Sequence, residues 1–274
     1  MFTRQRAFAA TKYLCYGLLL LNIFFFLKEE TGSLEHTFTG AMSFAEFVQV
    51  FAATIDTTAW VILLLLFELE TYILDDERIR GGTKLALHGV RGIAYIAVLY
   101  AFSGYCAELL TLYCATPLPA GWDACAATAG DWSFILTLDE YLPISADNCA
   151  ALQPPLTRLQ EFQIVADAET LTKTRYLGWT DVINAAAWIL VVIMLEIEVR
   201  LQLRGQLTDS LVRGFSYLKF VLYGTLFLAA GYWGIAGSFL DFWDAALWLF
   251  AFIFIELNVF EWQAETSQQE PDTP

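Results

Sequence analysis

Three stretches of the chain align without gaps: "DTTAWVILLLLFELE" (56–70), "NAAAWILVVIMLEIE" (184–198) and "DAALWLFAFIFIELN" (244–258). They share the pattern [Asp/Asn]-x-x-x-Trp-x7-Glu-x-[Glu/Asn]. The pattern aligns Asp56, Asn184 and Asp244, then Trp60, Trp188 and Trp248, then Glu68, Glu196 and Glu256, and last Glu70, Glu198 and Asn258. Each stretch is otherwise apolar. A charge at a bilayer centre costs about 2.5–3.5 kcal/mol or more, so repeated acids there lie at an interface, have partners or have a task.

Two chemistries fit. In one, the acids are structural clasps. Each motif is followed by a segment that opens with arginine, so Glu68 can meet Arg91, Glu196 can meet Arg213, and Glu256 can close the circle on Arg6. In the other, a threefold axis points Glu68, Glu196 and Glu256 at a common lumen, with Glu70, Glu198 and Asn258 behind them. Carboxylate rings select cations, and membrane acids relay ions or protons. Asp56, Asn184 and Asp244 then form a second ring. The two readings can coexist, because residues two apart on a helix project about 200° from each other. Trp60, Trp188 and Trp248 read as packing and interface anchors rather than a cofactor box.

The elements that carry these residues are long and apolar. The 274-residue chain is 57% hydrophobic and only 16% charged, where a soluble domain carries about 25% charged residues. Mean hydropathy is +0.52. Six transmembrane helices are expected near 7–27, 44–67, 92–114, 182–202, 214–236 and 240–260, each near the length that crosses a bilayer. The segment "GIAGSFLD" (234–241) marks a tight turn between the last two. The odd spans repeat more weakly: "RAFAATKYLCYG" (6–17) resembles "RGFSYLKFVLYG" (213–224). The expected fold is therefore an all-α integral membrane protein built as three repeated helical hairpins. Residues 1–114 hold helices 1–3, 115–180 an extracytoplasmic cap, 181–262 helices 4–6, and 263–274 a disordered acidic cytoplasmic tail.

Orientation follows from lysine and arginine. With the N-terminus in the cytoplasm, eleven of the fifteen basic residues are cytoplasmic, and only Lys28, Arg158, Lys173 and Arg175 lie outside. The formal net charge of −15 argues against nucleic acid as a partner. The asparagine or aspartate of each motif falls near the outer interface, and the glutamate about 18 Å further along. Glu108, in "SGYCAELL", reads as an isolated outer acid that snorkels or is hydrogen-bonded.

Cys106, Cys114, Cys125 and Cys149 face an oxidising compartment in this orientation and are disulfide candidates in three pairings; Cys15 is expected free. The cap is expected to contain an amphipathic helix over 155–171, opened by proline. Its role is to cover the bundle, dock a partner or shape an outer vestibule.

Catalytic, cofactor and metal signatures are lacking. His36 and His88 are the only histidines and lie outside the spans, which disfavours bis-His haem. There is no H-E-x-x-H, G-x-S-x-G or P-loop motif. "DDERIRGG" (75–82) reads as a solvated helix end rather than a metal site. The expectation is a non-enzymatic cation channel or transporter that uses the repeated carboxylates. The alternative is a non-catalytic scaffold or accessory subunit. Expected partners are the lipid bilayer, a small cation, and further copies of the chain or other members of a membrane complex.

Overall fold

The computed structural model describes residues 2–37, 42–70, 81–152, 154–159 and 162–252. The chain is a membrane protein. Among the described residues four helices are long and apolar enough to cross a bilayer, and a fifth crossing arises if one bent pair counts as a single span. The helices are α1 (Phe2–Thr37), α2 (Phe44–Val50), α3 (Ala52–Glu68), α4 (Gly82–Tyr113), α5 (Ala168–Leu203), α6 (Asp209–Ala236) and α7 (residues 239–252). Glu256, Asn258, residues 263–274 and most of "DDERIRGG" lie outside the described residues.

Five of the six expected spans fall on α1, the α2–α3 pair, α4, α5 and α6, while the described part of α7 is not among the helices long enough to cross; two further expectations fail. The second span is not one helix: α2 and α3 meet at an angle of 77° across Phe51. No glycine or proline marks the break, so the sequence reads through it. The signals are polar instead. Ser43 opens α2 in a capping box with Glu46. The Glu30 carboxylate on α1 accepts from the Ala53 and Thr54 amides at 2.8 and 3.2 Å, closing the start of α3 from outside. Gly104 lets α4 approach this corner. A Cβ there would lie 2.7 Å from the Val48 carbonyl oxygen and 2.9 Å from the Ala52 Cβ.

The second failure is the amphipathic helix expected over 155–171. That segment holds two strands, β4 (Leu156–Arg158) and β5 (Ile164–Asp167), paired antiparallel. Ile164 and Val165 are β-branched and bury both faces of the strand within the cap, which favours a strand. With β1 (Thr116–Pro117), β2 (Ser133–Ile135) and β3 (Tyr141–Pro143) they form one sheet in the order β1-β4-β5-β2-β3. Only the β2–β5 pair is parallel. β5 runs directly into α5. Asp167 caps that helix, accepting from the Thr170 amide at 2.8 Å. α5 thus rises well above the expected start at 182.

One disulfide, Cys125–Cys149, staples the cap, while Cys106 and Cys114 are free thiols. Their positions explain it. Both lie at the end of α4, two turns apart and away from the cap core, whereas Cys149 is buried with Ala124, Ile144 and Val165. Cys15 is free and buried.

Packing is sequential, with α1 on α3, α3 on α4, α4 on α5 and α5 on α6. One apolar cluster joins α1, α3 and α7 through Leu19, Val61, Leu64 and Leu247. Another joins α5 to α6 through Val191, Met194, Leu222 and Leu226. A third seats the cap on the helices through Ile135, Leu159, Ile164, Leu177 and Trp233.

Candidate functional site

The motif glutamates are mostly clasped, though not to the expected partners. Lys12 on α1 donates to Glu68 at 2.6 Å, and Tyr13 adds a hydrogen bond at 3.0 Å. Both charged side chains are at most 6% exposed. Arg91 on α4 pairs instead with Glu70. The reason is helical phase. Glu68 faces α1, and the residue two further on faces the opposite side, where α4 lies. The same phase governs α5. Glu198 meets Lys219 on α6 at 2.8 Å, while Glu196 turns away from α6 and pairs with Arg200 one turn on rather than with Arg213. The partner expected for Arg6 lies outside the described residues.

The other end of the motif behaves differently. A cavity of about 430 Å³ opens inside the helices, with Asp56, Asn184 and Asp244 on its wall. Trp60, Trp188 and Trp248 stand together one turn along. The Trp188 ring centroid is 6.3 Å from that of Trp60 and 6.4 Å from that of Trp248. Phe252 closes on Trp188 at 5.5 Å. The tryptophans thus form a half-buried aromatic wall along the cavity.

Further acids join them. Glu29 and Glu30 come from α1, Glu108 from α4, Asp139 from the cap, Asp181 from α5 and Asp241 from α7. With Asp56, Asp244 and Glu196, nine acidic side chains among the described residues line the cavity, against one basic side chain, Arg91, already held by Glu70. Glu108 is therefore no isolated interfacial acid. Hydrogen bonds hold several carboxyls in place. Asn22 donates to Asp244 at 2.8 Å, the Trp233 indole to Asp181 at 3.1 Å, and Ser238 to Asp241 at 2.8 Å.

The cap supplies the roof through Leu138, Asp139, Tyr141, Leu159 and Phe162. Ser33 ties it to α1 by donating to the Asp139 carbonyl at 2.6 Å. The Asp139 carboxyl is held well above the usual carboxylate range, first by burial and then by Glu108, Asp241, Glu29 and Asp181. Burial, with Glu108 and Asp139 beside it, also pushes the Tyr141 hydroxyl up. Crowded like charges in a poorly hydrated space have this effect.

A signal for the added acids exists in the sequence. Asp181 and Asp241 each precede the motif residue Asn184 or Asp244 by three positions, which places them on the same helix face. On α3 the corresponding position is Ala53, and there Glu30 delivers a carboxylate from the neighbouring helix to the Ala53 amide. That substitution between helices is invisible to a linear pattern.

The carboxyls are spread along the wall rather than gathered. No three His, Cys, Asp or Glu side chains among the described residues are grouped to hold a metal ion. Comparison with models of protein families, with curated proteins and with solved structures finds no match.

Proposed function

We propose that the protein binds a cation in this cavity and carries it across the membrane. The observation that carries the reading is the imbalance of nine acidic side chains to one paired arginine inside a helical membrane protein. Such a surface attracts cations and rejects anions. The broken α2–α3 pair supports a transporter, because interrupted helices commonly line the binding sites of carriers.

The proposed path runs past Asp56, Asn184 and Asp244, with Glu196 toward the far end. Glu68, Glu70 and Glu198 serve as clasps. Glu256 and Asn258 continue the motif in the sequence that follows α7. The meeting of Trp60, Trp188 and Trp248 supports a threefold relation among three hairpins, and with it a six-helix plan. The positive-inside pattern supports cytoplasmic termini and an extracytoplasmic cap, where the Cys125–Cys149 disulfide persists. No catalytic role, cofactor or nucleic acid enters this reading.

The test is uptake of rubidium and of tetramethylammonium into liposomes containing the parent or the Asp56→Asn/Asp244→Asn variant, with size exclusion as the check on folding. The parent is expected to take up at least one of them, and the folded variant to lose at least about tenfold. Uptake unchanged in the variant overturns the reading. A scaffold or accessory subunit is the second reading, and the dry Lys12–Glu68 pair favours it. It predicts that the parent carries neither cation.

A further inference from the structure

A second opening, of about 350 Å³, lies on the lipid-facing flank between α4 and α5. The two helices are pinned together near the cap and part lower down. At the pinned end Arg175 donates to the Leu112 carbonyl at 2.9 Å and stacks 4.7 Å from the Tyr113 ring centre. Trp179 donates to the Tyr113 hydroxyl at 3.1 Å. Below this clasp the facing residues are Val98 and Leu99 on α4 and Ile189, Val192 and Ile193 on α5. They form an apolar slot. Leu99 and Ile193 at its edge are 57% and 49% exposed.

The slot and the acidic cavity share a wall. Trp60, Tyr95, Val192 and Glu196 line both. A molecule seated among the carboxyls is therefore one side chain from a lipid-facing apolar slot.

Three observations bear on what fits. The acids are dispersed beside a three-tryptophan wall, which suits a bulky ammonium better than a metal, because tryptophan faces attract organic cations. Glu30 lines the cavity with one oxygen, Oε1, committed to α3. The other, Oε2, has no partner among the described residues, although the residue is only 7% exposed. The slot itself is apolar except for the Glu196–Arg200 pair in its lining, and its edge residues Leu99 and Ile193 are exposed.

We infer that the ligand is a single-chain amphiphile with a quaternary or tertiary ammonium head, the head held among Asp56, Asp244 and the tryptophans and the aliphatic chain in the α4–α5 slot. The inference rests on the cation reading above and adds the ligand class and a lateral route of entry.

The experiment measures equilibrium binding of labelled tetramethylammonium to the protein in lipid nanodiscs, with empty discs subtracted. Decyltrimethylammonium and decyl sulfate serve as competitors. Ile193 lines the slot and not the cavity, so Ile193→Trp fills the slot from its exposed edge. It is expected to weaken displacement by decyltrimethylammonium at least tenfold and to leave tetramethylammonium unchanged. Partition of the amphiphile into lipid is the same for both proteins, so the ratio reports the slot alone. Leu99→Trp, from the facing helix, provides the same reading if Ile193→Trp does not fold. Decyl sulfate is expected not to compete.

If both ammonium ions bind and neither slot variant matters, the chain does not lie there and the inference falls while the cation reading stands. It falls equally if rubidium is carried and neither ammonium ion binds. If no cation binds or is carried, the cation reading fails with it.

Discussion

The carboxylate of Glu30 on α1 lies 2.8 Å from the backbone nitrogen of Ala53, at the first turn of α3. The first amides of a helix have no intrahelical partner, and Phe51, the residue preceding α3, supplies no side-chain cap. A residue more than twenty positions away does so instead. It also fixes the corner between α2 and α3, on which the shape of the cavity depends.

Removing that cap has a predictable cost. Glu30→Ala is expected to destabilise the protein by about 1–2 kcal/mol, at the upper end for caps because the contact is buried. Glu30→Gln keeps an acceptor and is expected to lose less than half as much. Urea unfolding in detergent, followed by circular dichroism, measures both. Equal losses would show that charge, not capping, governs the site.

The Lys12–Glu68 pair is the driest ion pair among the described residues. Lys12→Met leaves a buried carboxylate without its cation, and a loss of about 3–5 kcal/mol is expected. Lys12→Met/Glu68→Leu removes both charges and is expected to recover most of that. A double-mutant cycle of unfolding free energies decides. Additive losses would mean that the two charges do not depend on each other.

The roof of the cavity should give the protein a pH dependence of known sign. The folded-state Asp139 carboxyl binds its proton more tightly than in the unfolded chain, for reasons of burial and the facing acids Glu108, Asp241, Glu29 and Asp181. A raised carboxyl contributes stability that is full at low pH and is lost as pH rises through the folded value. Melting temperature is therefore expected to fall from pH 5 to pH 8 (roughly the span above the ordinary aspartate range). Asp139→Asn is expected to flatten that fall and to be the more stable protein at pH 8. A variant with the same slope as the parent would remove Asp139 from the cause.

The cap and its cysteines report on topology as well as stability. The Cys125–Cys149 bridge spans 24 residues, and a loop of that size corresponds to about 3 kcal/mol in the chain-entropy account. Cys125→Ser/Cys149→Ser is expected to make the cap sensitive to protease while the helices persist. Cys114 is an exposed free thiol at the cap end of α4, and Cys15 is a buried one on α1. An impermeant maleimide applied to intact cells is expected to modify Cys114 and spare Cys15. Modification of Cys114 only after lysis would reverse the assigned orientation.

Apolar length made the long helices legible in the sequence, since a run of some twenty hydrophobic residues has few other uses. The linear repeat also located Asp56, Asn184 and Asp244 and the three tryptophans, because equal spacing on equal helices brings equal faces together. The break at Phe51 stayed hidden, since it depends on a carboxylate from another helix rather than on a local glycine or proline. Partner choice was equally opaque. Glu68 took Lys12 in place of Arg91 because helix phase and neighbour order, not chain order, decide which charges meet. The segment holding β4 and β5 reads as a helix because its burial is two-sided: Ile164 and Ala166 pack toward Leu177 and Trp233, and Val165 toward Ala124, Ile144 and Cys149. Glu29 and Glu30 on α1 and Asp139 in the cap were missed for a similar reason, and Glu108 was read as isolated: they come to face the motif residues only in three dimensions.

The direct junction of β5 with α5 sets the phase of the cavity wall. Asp167 ends the strand and caps the helix, so no slack separates the sheet from the wall that carries Asp181, Asn184 and Trp188. With the sheet held in register, one residue inserted after Asp167 would turn all three side chains about 100° around the helix axis.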